Sequence, residues 1–194
     1  MGTDLVIEVI HADSELAEAA IDAAVAELKR VEDLMTDWRP SPLMDLNAKA
    51  GEGWVQVPRE LAELIERSLA VAELTGGAFD PTYASVGKLW DFKAKPPRIP
   101  SDEDIAAALP LIDYRKVQVD LEGSRVLLPA GTRIGLGGIA KGYGVDRAMK
   151  VIMDRGIQLP RQTPGGDLKA LGDKKGTPGA SPSNTPANWT PPSP

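Results

Sequence analysis

The 194-residue chain carries a formal net charge of −6 and is 42% hydrophobic, a composition typical of a globular protein that buries a core. Its acidic balance argues against a nucleic-acid-binding surface. The absence of cysteine and the single histidine, His11, exclude thiol catalysis and Cys/His zinc sites. Chemistry must therefore come from carboxylates, hydroxyls, backbone groups, lysine or a hard cation, for which Mg2+ is better suited than zinc.

The sequence contains no run of about 18 apolar residues, so no transmembrane segment is expected. Its first residues also lack the basic and apolar regions of a signal peptide. The location of the protein is left unassigned.

Residues 5–10 are β-branched and apolar, which predicts a strand. Ser14 is a suitable N-cap for the helix that the apolar spacing beyond it predicts. The proline-containing loop 37–42 ends this helix, because proline disfavours a helical residue before it. Trp38, in this loop, is interpreted from its size as an anchor in the core.

A short strand and a second helix are predicted next. Residues 54–57 alternate in polarity, and Pro58 suits the first turn of a helix that ends at the glycine pair 76–77. Asp80 directly precedes a proline. It could bind a ligand, but an aspartate in this position more often bonds to the backbone of its own turn.

Local signals then predict a helix and a hairpin. Ser101 and the acidic residues 102–104 form the start of a short helix over 105–109, so these acids are interpreted as structural. Residues 117–120 and 125–128 read as the two strands of a hairpin. A local antiparallel pair favours an α+β fold over an alternating α/β order.

The segment Gly135–Asp146 holds five glycines and one lysine directly before a helical apolar pattern. Glycines let the backbone approach a ligand, and a helix N-terminus offers free N–H groups to an anion. The segment therefore predicts a phosphate or pyrophosphate cradle. It is not a Walker A motif, because Ala140 and Gly142 flank Lys141 where Gly and Ser or Thr are required.

Two other interpretations of this segment remain open. Gly135, Gly137 and Ala140 match the spacing of a dinucleotide-binding fingerprint, which would indicate a Rossmann-type NAD(P) oxidoreductase. This fingerprint also includes an acidic residue at the end of the following strand, but Arg161 occupies that position here. The glycines could also serve close packing of a helix on a sheet.

Several short motifs occur in a fixed order: Met1–Thr3, Trp38–Pro40 leading to Leu46-Asn47, Thr75–Thr82, Leu89-Trp90, Gly137–Tyr143, Val145-Asp146 and Gly165–Leu168. Together they resemble the ApbE family, the FAD:protein FMN transferases. The resemblance covers roughly residues 1–178. It implies an α+β, T-fold-like flavin transferase domain with a mixed or antiparallel sheet and packed helices.

The resemblance also implies a reaction. With Mg2+, such a protein splits the pyrophosphate of FAD, transfers FMN to a threonine or serine hydroxyl of an acceptor protein and releases AMP. In phosphoryl-type transfer, positioning and charge neutralisation supply most of the catalysis.

The site residues follow from the same resemblance. Those implied to contact FAD are Met1, Trp38, Ala78, Phe79, Asp80, Gly135 and Lys141, with Lys141 facing the phosphates. The backbone carbonyl of Gly138 would be one Mg2+ ligand. Trp38 and Gly135 depart from the family pattern, which usually has Tyr and Asp at these positions.

Residues 173–194 contain six prolines and no Val, Ile, Leu or Phe, which predicts a disordered tail over 179–194. The break suggests a frameshift or early stop that leaves the domain incomplete at its C-terminus. We therefore expect impaired transferase activity, with a non-catalytic FAD- or nucleotide-binding remnant as the alternative. Family members are commonly exported or lipid-anchored, although this chain shows neither a leader nor a lipid-bearing cysteine.

Overall fold

The computed structural model describes residues 5–91, 94–97, 99–157, 160–164, 169–170, 173–174 and 177–178, with the backbone alone from 160 onward. The chain divides into two compact units, Met1–Leu28 with Val145–Pro194, and Lys29–Gly144. Met1, the motif 165–168 and the predicted tail 179–194 lie outside the described residues.

Helices and strands both contribute to the fold. The helices in the described ranges are α1 (Ser14–Met35), α2 (Pro42–Ala48), α3 (Arg59–Leu74), α4 (Ala84–Gly87), α5 (Asp102–Ala108) and α6 (Ala140–Met153). The strands are β1 (Leu5–Val9), β2 (Trp54–Gln56), β3 (Gln118–Asp120), β4 (Arg125–Leu127), β5 (Pro160–Pro164), β6 (Lys169–Ala170), β7 (Asp173–Lys174) and β8 (Thr177–Pro178). None of these helices is long and apolar enough to cross a membrane.

All strand pairings in the described ranges are antiparallel, in the orders β1-β5-β6, β2-β4-β3 and β7-β8. This confirms the predicted α+β class. A dinucleotide-binding fingerprint needs a parallel β-α-β unit, and the described strands contain none. The Rossmann interpretation of the glycine segment is therefore not supported.

The unit that contains both chain ends has its own small core. Alanines at two positions of α1 are fully buried and allow close packing with the buried face of α6. The core residues are Ala20, Ala24, Leu28, Ala148, Ile152 and Ile157, with Ile7, Val9 and Leu16 packed against them. Strand β1 runs beside β5, with Leu5 opposite Pro164 and Val9 opposite Pro160.

In the unit 29–144, α3 packs against β3 and β4 of the three-stranded sheet. Leu61, Ile65 and Val126 are completely buried there. Glu60 on α3 accepts hydrogen bonds from Arg30 at 2.6 and 2.8 Å and from the Tyr143 hydroxyl at 2.6 Å. This one carboxylate therefore ties the end of α1 and the start of α6 to α3.

Several local predictions are confirmed. Ser101 and Asp104 form the expected capping box at the start of α5. The predicted hairpin forms between β3 and β4, with Val119 opposite Val126.

Other local predictions are wrong. Helix α1 begins at Ser14 itself, and Asp13 is the capping residue, because its Oδ1 accepts a hydrogen bond from the Leu16 N–H at 3.1 Å. Trp38 is 57% exposed and is therefore not an anchor in the core. Helix α2 was not predicted, although Ser41 caps it and Pro42 occupies its first turn.

Candidate functional site

The turn after α3 sets the position of Phe79. Gly76 and Gly77 have φ values of +61° and +85°, in the left-handed region that glycine adopts without strain. The Thr75 hydroxyl accepts a hydrogen bond from the Phe79 N–H at 3.1 Å. The chain therefore reverses at the end of α3 and brings the half-buried Phe79 ring to a fixed position.

Asp80 is the centre of a hydrogen-bond network. Its Oδ1 accepts bonds from the Thr82 N–H at 2.8 Å and the Thr82 hydroxyl at 2.6 Å, and its Oδ2 accepts one from the Tyr114 N–H at 3.0 Å. The Thr82 hydroxyl in turn accepts a bond from the Asp113 N–H at 2.9 Å. Of the two interpretations of Asp80, the structure shows the bond to its own turn, and both carboxylate oxygens are engaged by the protein.

The segment that leads into the glycines is held by three groups. The buried Ser85 hydroxyl accepts a hydrogen bond from the Arg133 N–H at 2.8 Å. The Asn47 side chain accepts one from the Ile134 N–H at 2.8 Å and donates one to the Ile134 carbonyl at 2.9 Å. The Gly135 N–H donates to the Pro81 carbonyl at 2.8 Å. Two buried polar side chains and one loop carbonyl thus fix this backbone.

The Phe79 loop and the glycine segment meet directly. A Cβ at Gly138 would lie 2.9 Å from Phe79 Cε2, so a larger residue would require the ring to move. A Cβ at Gly135 would lie 3.0 Å from Ala84 Cβ and 3.2 Å from both Cε1 and the hydroxyl of Tyr83. The glycines at these two positions therefore serve close approach to neighbouring side chains.

The glycine segment opens α6 in a way that suits a phosphate group. Gly137 and Gly138 are exposed, and α6 begins two residues later at Ala140. Lys141 lies half-buried in the first turn of this helix. Backbone N–H groups, a helix N-terminus and a lysine together are what binding of a phosphate or pyrophosphate requires.

The structure therefore brings some predicted FAD contacts together and leaves others apart. Phe79 touches Gly138, and Gly135 and Lys141 belong to the same segment. Ala78 is exposed beside Phe79, whereas Trp38 lies on the separate loop after α1. That loop is near the glycine segment, because Asp37, Tyr83 and Ile134 line the same pocket. The predicted roles of these residues toward FAD stay predictions.

Sequence reasoning assigned no role to Asn47, Ser85 or Tyr83. Asn47 is a polar residue on the buried face of α2. A buried amide needs a hydrogen-bond partner, so its position in the sequence indicates a structural contact. The identity of that partner, 87 residues away, could not be inferred from the sequence.

The described residues include no group of three or more His, Cys, Asp or Glu placed to hold a metal ion. The Gly138 carbonyl is one oxygen donor of the kind that Mg2+ accepts, but Asp80 is already engaged by the protein.

The described helices and antiparallel strands define an α+β domain in which a glycine-rich turn opens a helix. More particularly, a family model for the ApbE family matches residues 1–189, and the chain belongs to this family.

Named relatives agree with this assignment. An FAD:protein FMN transferase of Treponema pallidum is 33% identical over 165 residues, which is 81% of this chain and 46% of the relative. One from Klebsiella pneumoniae is 30% identical over 175 residues, 89% of this chain and 54% of the relative. The chain thus spans about half the length of these curated relatives.

Solved structures show the same fold. The ApbE protein of Thermotoga maritima matches with a TM-score of 0.76 and 34% identity, over 91% of this chain and 58% of that one. The flavin transferase ApbE of Vibrio cholerae matches with a TM-score of 0.78 and 26% identity, over 91% and 59%.

Proposed function

We propose that this chain binds FAD and acts in FAD:protein FMN transfer. In this reaction the hydroxyl oxygen of an acceptor threonine or serine attacks the FMN phosphorus of FAD. The bond to the AMP phosphate breaks, AMP leaves, and the hydroxyl proton passes to solvent. Mg2+ would neutralise charge on the pyrophosphate when bound, while the residues of this chain bind and orient the FAD.

The contact between Phe79 and Gly138 carries the proposal, because it joins the two motifs that a family member would use around FAD. Relatives named FAD:protein FMN transferase match this chain over 81% and 89% of its length, which includes both motifs. In the proposed arrangement, the exposed backbone of Gly137 and Gly138 faces the pyrophosphate. Lys141 supplies a positive charge beside it, and Trp38, Ala78 and Met1 contact other parts of FAD.

The test combines binding and labelling. The purified chain is titrated with FAD, then incubated with FAD, Mg2+ and a flavin-acceptor protein, and the acceptor is examined by in-gel flavin fluorescence and intact mass. We expect FAD binding that Lys141→Met weakens about tenfold, since a charge-assisted bond to a phosphate is lost. Lys150→Met on the same helix, where the lysine pairs only with Asp154 among the described residues, is the matched control.

Failure to bind FAD would contradict the proposal as a whole. Binding without transfer to the acceptor would instead favour the second candidate, an FAD- or nucleotide-binding protein without transferase activity. The engagement of both Asp80 oxygens by protein donors favours this candidate, since it gives Asp80 a structural part in a binding platform.

A further inference from the structure

A pocket of about 240 Å3 in the unit 29–144 is not accounted for by the proposed function. Its charged and phenolic lining consists of Asp37, Tyr83, Lys88 and Arg133, and Asn47 also reaches it. None of the residues predicted to contact FAD lines this pocket. Asp37 and Ile134 of the lining directly precede Trp38 and Gly135 in the chain, so the pocket borders the predicted FAD contacts.

Among the charged residues of the pocket, Arg133 has the most firmly positioned backbone. Its backbone N–H donates a hydrogen bond to the Ser85 hydroxyl. The N–H and the carbonyl of the next residue, Ile134, are both hydrogen-bonded to the Asn47 side chain. Its half-buried guanidinium contacts Met44 Sδ at 3.6 Å and has no carboxylate partner among the residues that the structure describes. A partly desolvated cation without a partner costs free energy, which a bound anion would offset.

Tyr83 and Lys88 add two further donors. The Tyr83 ring lies over Gly135, and its hydroxyl has no hydrogen-bond partner in the described part of the chain. The Tyr83 side chain is 45% exposed, and a phenol is protonated at neutral pH, so its hydroxyl is able to donate. Partial burial and the charge of Asp37 raise the pKa of Tyr83 further. The Lys88 ammonium is exposed and, within the described ranges, unpaired.

The lining therefore combines two cations and a phenol with one carboxylate, within a chain of net charge −6. Local positive charge against an acidic background is a feature of anion recognition, and Arg offers a planar pair of donors for an oxyanion. We propose that this pocket binds a phosphate-type oxyanion group through Arg133, Lys88 and the Tyr83 hydroxyl. The ligand is a free phosphate-bearing small molecule or a phosphate of FAD itself.

The test uses inorganic phosphate, so it does not rest on FAD binding. Phosphate is titrated into the protein at constant ionic strength, and binding is followed by calorimetry and by the rise in Tm relative to chloride. We expect millimolar binding to the wild type, and about a tenfold higher Kd for Arg133→Met and for Lys88→Met. The control is the double variant Arg67→Met/Lys29→Met, which removes two exposed positive charges outside the pocket.

The proposal is overturned if phosphate does not bind the wild type, or if the pocket variants bind as well as the control. Lys88→Met removes an exposed side chain, so it tests the pocket even if Arg133→Met unfolds. A competition then identifies the source of the oxyanion. Displacement of phosphate by FAD but not by riboflavin assigns the pocket to an FAD phosphate, and simultaneous binding assigns it to a separate ligand.

Discussion

At the scale of single residues, the absence of a side chain at Gly135 and at Gly138 allows the parts of the site to pack closely. Each glycine allows a neighbouring ring to approach: Tyr83 at Gly135 and Phe79 at Gly138. Neither position has a left-handed φ value, so glycine is required there for space and not for backbone conformation.

We expect Gly135→Ala to destabilise the protein by roughly 1–3 kcal/mol, the usual cost of overpacking. The new Cβ would meet Ala84 at 3.0 Å, and Pro81 holds the Gly135 backbone in place. Gly142→Ala is the control, because nothing lies within 4 Å of its Cβ and alanine favours a helix. Urea unfolding would measure both, and equal stability of the two variants would contradict the packing argument.

At the scale of elements, the turn between β3 and β4 depends on Asp120. Its carboxylate accepts hydrogen bonds from the Gly123 N–H at 2.9 Å and from Arg125 Nε at 2.7 Å. The bonds from Gly123 and Arg125 hold the pKa of Asp120 below its usual value. Arg125 also lies 5.2 Å above the Trp54 ring, so the same arginine links the turn to β2.

This lowered pKa predicts a pH dependence of stability. The folded state binds a proton less readily than the unfolded chain, so the contribution of Asp120 is complete above about pH 4 and is lost as the pH falls further. Asp120→Asn should therefore flatten the decline of the urea midpoint as the pH falls below about 4. Glu122→Gln, in the same turn, is the control. An unchanged acid slope in Asp120→Asn would show that this carboxylate does not contribute.

At the scale of the whole molecule, the family match covers residues from both compact units. Helices α1 and α6 each begin in one unit and end in the other. Lys141 and the glycine turn lie at the start of α6, within the unit 29–144, so a ligand bound there would contact this helix end.

FAD should therefore stabilise the folded chain. A ligand that binds only the native state at about 100 times its Kd adds about 2.7 kcal/mol to the free energy of unfolding. We expect Tm to rise with the logarithm of FAD concentration, and to rise less in Lys141→Met than in Lys150→Met. A Tm that is independent of FAD up to millimolar concentration would count against the proposed site.

The amino-acid sequence by itself determined the features that depend on near neighbours. The capping box of Ser101 and Asp104, the β3–β4 hairpin and the end of α3 shortly before Gly76 follow from residues close to each other in the chain. The ordered motifs also predicted the family, because their residues are read directly from the chain.

Only the tertiary structure decided which distant groups meet. Local patterns act through a few neighbouring residues, whereas the bond between Asn47 and Ile134 joins groups 87 residues apart and depends on how all the elements pack. The exposure of Trp38 has the same origin: its size suggested burial, but the fold places its loop at the surface. The close approach of Phe79 to Gly138, and the pocket beside Arg133, exist because several elements converge, which no single stretch of sequence encodes.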